Sequence, residues 1–230
     1  MAESHRGRAV HSWNDLIGEI GVIVLGVLIA LAAQQAVELV HWNGQLADTR
    51  KALRDELARS AASAYGHRAI YACNAEALTQ LRSALLKSGP AWKARPVAYE
   101  PLLSTWDTSA WRTAQTGGAL AHMTPPELTG YAAAYQFPPL FGEQEAKDQD
   151  DAAELGLLAY DLSLADGMRG RMLAATARAE RQNWLLSIAS KQYLEAAAAV
   201  GVTLSDGDRK RIEATIGKPD TDCAARPKAG

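Results

Sequence analysis

From Ile20 to Ala33 the chain runs for 14 residues without a charged or amide side chain, and Gln34 and Gln35 then interrupt the run with no turn signal. Widened to Leu16–Val40 the segment has 25 residues, with Glu19 near one end and Gln34, Gln35 and Glu38 near the other. As an α-helix at ~1.5 Å per residue it reaches roughly 37 Å, more than a hydrocarbon core of ~30 Å. Trp13 and Trp42 flank it on both sides, and indoles favour the headgroup level of a bilayer. The helical period continues afterwards: Leu46, Leu53 and Leu57 follow at spacings of 7 and 4, then Leu78, Leu81 and Leu85 at 3 and 4. A membrane-length helix is therefore expected to run on into a long soluble helix, with Cys73 on its packed side. Ser88-Gly89-Pro90 ends it, the glycine closing the last turn and the proline unable to continue it.

Residues 89–108 carry Pro90, Pro96 and Pro101 with Trp92, Tyr99 and Trp106 among them, a connector ordered by its aromatics. A short helix is predicted from Ser109, weakened by Gly117-Gly118; no Lys-Ser or Lys-Thr follows these glycines and no strand precedes them, so they read as a turn rather than a phosphate loop. Thr124-Pro125-Pro126-Glu127 has the form of a helix start, with Thr124 as N-cap and Pro125 at the first helical position. That helix shows Leu128, Tyr131, Ala132 and Tyr135 on one face and must break or kink at Pro138-Pro139. The acids that follow, Glu143, Glu145, Asp148, Asp150 and Asp151, lack the D-x-[DN]-x-[DN]-G order of a calcium loop. They read as the solvated face and first turns of a helix continuing through Leu155, Leu158 and Leu162. A longer helix begins around 164–166 with a core seam of Leu186, Ala189, Tyr193, Ala196 and Val200, closed by Gly201. Ser205 N-caps a last helix that ends at Ile216-Gly217. The fold class is all-α: an N-terminal transmembrane helix continuing into a long helix, followed by an irregular helical bundle. The expected organisation is a tail over 1–15, the transmembrane helix over 16–40, a stalk and first soluble helix over 41–88, the rest of the helical domain over 89–217, and a tail over 218–230.

Composition narrows the partners. Of 230 residues, 48% are hydrophobic and 22% charged, enough to bury a core. The formal net charge of -2, with Lys and Arg spread along the chain, argues against a nucleic-acid surface. The five histidines never fall into HxxxH or HExxH, and the two cysteines, Cys73 and Cys223, have no CxxC partner. The cysteines read either as two separate buried thiols or as one disulfide, which requires an oxidising compartment.

Three readings of the first segment compete. Arg6 and Arg8, an apolar stretch and Ala30-Leu31-Ala32 together match a cleaved signal peptide. Against cleavage, Glu19 directly precedes the run and helix-forming sequence continues past the site without a breaker. A buried core helix would need cover for Val22, Ile23, Val24, Leu25, Val27, Leu28 and Ile29 on every side, a poor start at an N-terminus. The uncleaved membrane anchor is the reading adopted.

The stretch from Ile17 to Leu57, with its Gly-Glu pair, the run G-V-L-I-A-L-A and a polar Gln/Trp/Asn stretch leading into a charged helix, resembles the N-terminus of uncharacterised single-pass inner-membrane proteins of proteobacteria. Cys73, the W-x-T-A-x-x-x-G-x-L-x-x-M stretch from Trp111 to Met123, and Cys223 are similar to alphaproteobacterial members. The resemblance implies an uncleaved anchor, a helical domain outside the cytoplasm and no known activity. The charge count leans the other way: Arg6, Arg8 and the α-amino group precede the span, and Arg50, Lys51, Arg54 and Arg59 follow it. The preferred orientation remains N-terminus cytoplasmic and C-terminal domain periplasmic, on the resemblance and the two cysteines.

No catalytic, metal-ligating or cofactor-binding residues are nominated, and no cofactor is expected. There is no G-x-S-x-G elbow and no E-x-x-H pair, and His67 and His122 read as helix-end or surface histidines. Trp106, Trp111 and Trp184 form a candidate ligand or packing cluster. Two functions stay in play: a tethered interaction or scaffolding protein whose partners are the lipid bilayer and a second copy or another envelope protein, or a ligand-binding sensory or enzymatic helical domain. For the first, Gly26 and Ala30 provide a small-xxx-small step, and Gln34 or Gln35 a polar contact between paired helices.

Overall fold

The computed structural model describes residues 13–219 and Cys223, so Arg6, Arg8 and most of the 218–230 tail lie outside the described residues. The chain is all-α, with α1 (Trp13–Lys87), α2 (Ser109–Thr116), α3 (Pro125–Tyr135), α4 (Phe137–Gly156), α5 (Asp166–Ala199) and α6 (Asp206–Ile216). A two-residue antiparallel pairing joins β1 (Ala91–Trp92) to β2 (Leu162–Ser163), matching Ala91 with Ser163 and Trp92 with Leu162.

The chain divides between Asp48 and Thr49 into two units. In the first, α1 carries the apolar segment, and Val22, Ile23, Val24, Leu25, Val27, Leu28 and Ile29 are all exposed. This is the one helix among the described residues long and apolar enough to cross a membrane.

The second unit is a bundle in which α4 and α3 pack against α5. One core cluster joins Leu78, Leu81 and Leu85 of α1 to Trp92, Tyr99, Leu155, Leu158, Leu164 and Met172. Aromatic rings fill another part: Trp106 stacks on Phe141 at 4.3 Å, and Tyr193 meets both Phe137 and Phe141 at 5.8 Å. Buried tyrosines also tie α3 and α5 to α1, the hydroxyls of Tyr135 and Tyr193 donating to the carbonyls of Leu53 and Leu57.

Helix ends follow their local chemistry. Lys87 ends α1 at the Ser88-Gly89-Pro90 punctuation, Gly118 turns the chain after α2 with φ 75°, and Gly201 closes the region after α5 with φ 80°. Ser205 caps α6, its Oγ accepting from the Asp208 amide at 3.1 Å. Thr124 precedes α3 but makes no side-chain cap bond; the Glu127 carboxylate instead takes Arg50 of α1 in two bonds of 2.5 and 2.7 Å. Several expectations shift. Ala132 of α3 is exposed and Ala134 takes its place in the core, and the break falls at Gln136, with Pro138 and Pro139 in the first turn of α4, where a missing N–H costs no helix bond. The helix expected to reach Leu162 stops at Gly156, because Leu162 is drawn into the β pairing with Trp92. On α5 the seam keeps Leu186, Ala189 and Tyr193 and broadens to Ser190 and Ala197, whereas Ala196 and Val200 are only half-buried.

Candidate functional site

The largest departure from the sequence reading is on α4. Glu145, Asp148 and Asp151, read there as a solvated face, are 0%, 2% and 6% exposed. They continue the core stripe between Phe141 and Leu155, while Glu143 and Asp150 do face solvent. The reason lies in the connector before α2. Residues 93–108 have no regular structure of their own, so their peptide groups need partners from side chains. Glu145 Oε2 accepts the Ser104 amide at 2.8 Å and the Trp106 indole N–H at 3.0 Å. Asn74 bridges both backbone groups of Glu100, at 2.8 and 3.0 Å, and Asp161 accepts the Ala94 amide at 2.7 Å. The Tyr99 hydroxyl donates to Asp148, and Arg178 meets Asp151 at 2.7 Å. At the far end of the connector, buried Glu56 of α1 accepts from the Ala110 amide at 2.9 Å and the Ser109 hydroxyl at 3.0 Å, a carboxylate placed at the positive end of α2.

His67, read as a surface or helix-end residue, belongs to this cluster and is buried in α1. Its Nε2 lies 3.3 Å from Ser104 Oγ and its Nδ1 3.7 Å from Glu145 Oε1. Burial pulls the imidazole down to about 4, so the ring is neutral at neutral pH. Burial also raises the Glu145 carboxyl, against the pull of the Trp106 and Ser104 N–H donors. Asp148 is pushed up to about 6 by burial, with Tyr99 opposing and Asp151 assisting.

Ser104, His67 and Glu145 thus stand in the order of nucleophile, base and acid. The contacts that hold this group are those of the connector: Glu145 is bound to the Ser104 amide and the Trp106 indole, and the histidine–carboxylate separation exceeds a hydrogen bond. Among the described residues no group of three or more His, Cys, Asp or Glu is arranged to hold a metal ion.

The remaining residues singled out by sequence have different surroundings. Trp106 packs against Phe141 and His67, Trp111 stacks on Tyr135 at 4.9 Å, and Trp184 is 59% exposed on α5, beside a cavity. Trp106 and Trp111 thus have different ring partners. Trp13 is exposed at the start of α1, and Trp42 meets His41 edge-on. Cys73 and Cys223 are joined in a disulfide with Cα atoms 5.1 Å apart. No protein-family model, curated protein or solved structure matches the chain.

Proposed function

We propose that the chain is a membrane-anchored helical protein of the bacterial inner membrane, and that its second unit faces the periplasm and acts by contact, with a second copy or another envelope protein. The observation that carries the reading is the apolar stretch of α1, exposed on every side with no part of its most apolar window buried. In water such a surface is unfavourable at about 25 cal/mol per Å², whereas a bilayer supplies the cover. Trp13 and Trp42 stand 29 positions apart, about 44 Å along a helix. That matches the ~40–45 Å between the two headgroup regions. The disulfide supports the periplasmic side, since thiols in the bacterial cytosol are kept reduced, and so does the resemblance to proteobacterial single-pass proteins.

Alkaline extraction of membranes tests the anchor, and thiol labelling with and without reductant tests the side. The protein is expected in the pellet with Cys73 and Cys223 unlabelled until reduced. Release into the supernatant, a mature chain beginning at Ala33, or two freely labelled thiols in native membranes would overturn the reading. A second reading, a ligand-binding sensory domain facing the periplasm, is favoured by the cavity beside Trp184.

A further inference from the structure

Where α1 ends, an open cavity of about 660 Å³ lies between residues 79–87 of the helix and the segment 88–95, within the ~300–1,000 Å³ of small-molecule sites. Lys87, Lys93 and Arg95 line it, and among the described residues no Asp or Glu does. None of the three has a carboxylate partner among the described residues, whereas elsewhere in the second unit Arg50 is matched to Glu127, Arg82 to Glu180 and Arg178 to Asp151. Glu76, bonded to the Gln80 amide at 3.0 Å, and Asp161, bonded to the Ala94 N–H at 2.7 Å, stay outside the lining. Three unmatched cations around one space repel one another, and an anion placed among them turns that repulsion into attraction.

The segment that carries two of these cations is pinned in place. The Leu164 N–H donates to the Pro90 carbonyl at 2.6 Å and Arg169 to the Gly89 carbonyl at 2.8 Å, while Ala91 and Trp92 pair with Ser163 and Leu162. Trp92 is 4% exposed and donates its indole N–H to the Leu158 carbonyl at 2.8 Å. The Arg95 guanidinium lies over this fixed ring, 4.4 Å from its centroid, and a guanidinium stacked in this way keeps its N–H edge open for two parallel bonds to an oxyanion. Lys87 also answers the negative end of α1, but that dipole gives no reason for Lys93 and Arg95. The hydroxyls in the lining add a second preference. Thr79 gives its proton to the Ala75 carbonyl and Ser88 gives its own to the Leu85 carbonyl, so towards a ligand both act as acceptors and suit its hydroxyl groups. Three cations with two hydroxyl acceptors describe an anionic polyol. A carboxylate brings one charge on two oxygens, whereas a phosphate monoester brings about −1.5 to −2 on three, the closer match to three cations.

We propose that this cavity binds the phosphate monoester of a small polyol, with Arg95, Lys93 and Lys87 on the phosphate and Thr79 and Ser88 on the hydroxyls. Such a site goes beyond both functional readings and requires neither.

The test uses the full chain in phosphatidylcholine nanodiscs, with empty nanodiscs as the background, and three probes built on one ring: glucose 6-phosphate, glucuronate and glucose. Titration calorimetry should show saturable one-site binding of glucose 6-phosphate, at least about fivefold tighter than glucuronate, weakened by added salt, and none for glucose. Arg95→Gln and Lys93→Gln should each weaken the phosphate about tenfold. Lys147→Gln removes the same charge from an exposed pair with Glu143 outside the lining and should leave affinity unchanged. All three positions are exposed, and unchanged far-UV circular dichroism and melting will show that the fold is intact. Equal affinity for phosphate and carboxylate, binding that Lys147→Gln weakens as much as Arg95→Gln, or no saturable binding of glucose 6-phosphate would each overturn the assignment. Replacing phosphatidylcholine by phosphatidylglycerol should leave the affinity within about twofold once salt screens the surface; loss of binding there would make a lipid headgroup the occupant and overturn the soluble ligand.

Discussion

The disulfide offers the sharpest quantitative test of how the second unit is held together. Cys73 and Cys223 are 150 positions apart, and closing a loop of that length in the unfolded chain contributes about 5 kcal/mol of stability by the chain-entropy relation. The full amount would be lost in a Cys73→Ala, Cys223→Ala double variant only if α6 stayed docked without the crosslink. The contacts of α6 argue that it does not. None of its residues is buried. Among the described residues its hold on α1 includes the Tyr65 hydroxyl donating to Glu213 at 2.6 Å and Ile212 and Ile216 against Gly66. One charged hydrogen bond supplies ~1.5–3 kcal/mol and two partly buried isoleucines a similar amount. Fixing 11 residues costs about 1–2 kcal/mol each before helix hydrogen bonds are counted, and a free helix of this length is marginal. The native state of the double variant should therefore release α6 and regain entropy, which brings the global loss to about 2–4 kcal/mol. Urea unfolding of the full chain in micelles, followed by tryptophan fluorescence, measures the loss. Hydrogen exchange over 206–216 measures the release. A loss below about 1 kcal/mol with α6 amides as protected as in the parent would refute the reasoning.

Glycine positions should separate by what lies over them. A Cβ at Gly66 would meet Ile216 Cδ1 at 2.8 Å and Ile212 Cγ2 at 3.1 Å, whereas one at Gly142 meets nothing within 4 Å; Gly66→Ala is expected to speed exchange in α6 and lower stability, and Gly142→Ala to raise it by up to about 1 kcal/mol in thermal or urea unfolding. Among the buried titratable groups, His67 and Asp148 act in opposite senses on acidification, and the raised Glu145 carboxyl acts in the sense of the aspartate. His67 is held at about 4, below its ordinary 6.5, so the unfolded chain binds more protons between those values and stability falls as pH drops through that window. Asp148 sits at about 6, above its ordinary 3.8, so the folded chain binds more protons and stability rises as pH drops from 6 towards 3.8. Asp148→Asn should expose the histidine's contribution as a loss of about 2 kcal/mol between pH 7 and 4.5, and His67→Gln should expose the aspartate's as a gain of similar size; urea midpoints that move identically with pH in both variants would contradict the assignment.

The helix ends were legible because each rests on local chemistry: Ser88-Gly89-Pro90 after α1, Pro125 at the start of α3, Gly201 after α5 and Ser205 before α6. The leucine periods of α1 were legible for the same reason, and Leu53, Leu57, Leu78, Leu81 and Leu85 are all buried. What the pattern concealed was polar residues standing on apolar faces. Phe141, Glu145, Asp148, Asp151 and Leu155 fall at spacings of 4, 3, 3 and 4, and Ala64, His67, Tyr71, Asn74 and Leu78 at 3, 4, 3 and 4. Both are core stripes with polar members. The spacing was the available signal, but a hydropathy reading assigns an acid to water unless the group that satisfies it is known. For Glu145 it is the Ser104 amide and the Trp106 indole, for Asp148 the Tyr99 hydroxyl, and for Asp151 the Arg178 guanidinium of α5, and no local rule brings any of them to mind. Trp106 and Trp184 illustrate the same limit, since neither period nor composition distinguishes an indole stacked on Phe141 from one left open beside a cavity.

Glu145 shows why the buried acids are kept rather than replaced by apolar side chains. Its Oε2 serves two donors at once, the Ser104 amide and the Trp106 indole, and both belong to a segment with no ladder of its own. Glu145→Leu would preserve the volume but orphan both donors, at about 1–3 kcal/mol each, besides leaving His67 Nδ1 without any acceptor nearby. Glu145→Gln is different. Its amide oxygen can occupy the Oε2 position and keep both donors, while its NH2 group faces His67 Nδ1. The ring then needs its proton on Nε2, where it donates to Ser104 Oγ, an arrangement that requires no movement of the backbone. The glutamine variant is therefore expected to lie within about 1 kcal/mol of the parent, and the leucine variant to lose about 2–5 kcal/mol and to show faster exchange at Ser104 and Trp106. Urea unfolding gives the energies, and a proton–nitrogen spectrum of the imidazole reads the tautomer. If leucine were tolerated as well as glutamine, the connector's amides would have to find other partners, and the account of the buried acids as its hydrogen-bonding scaffold would fall.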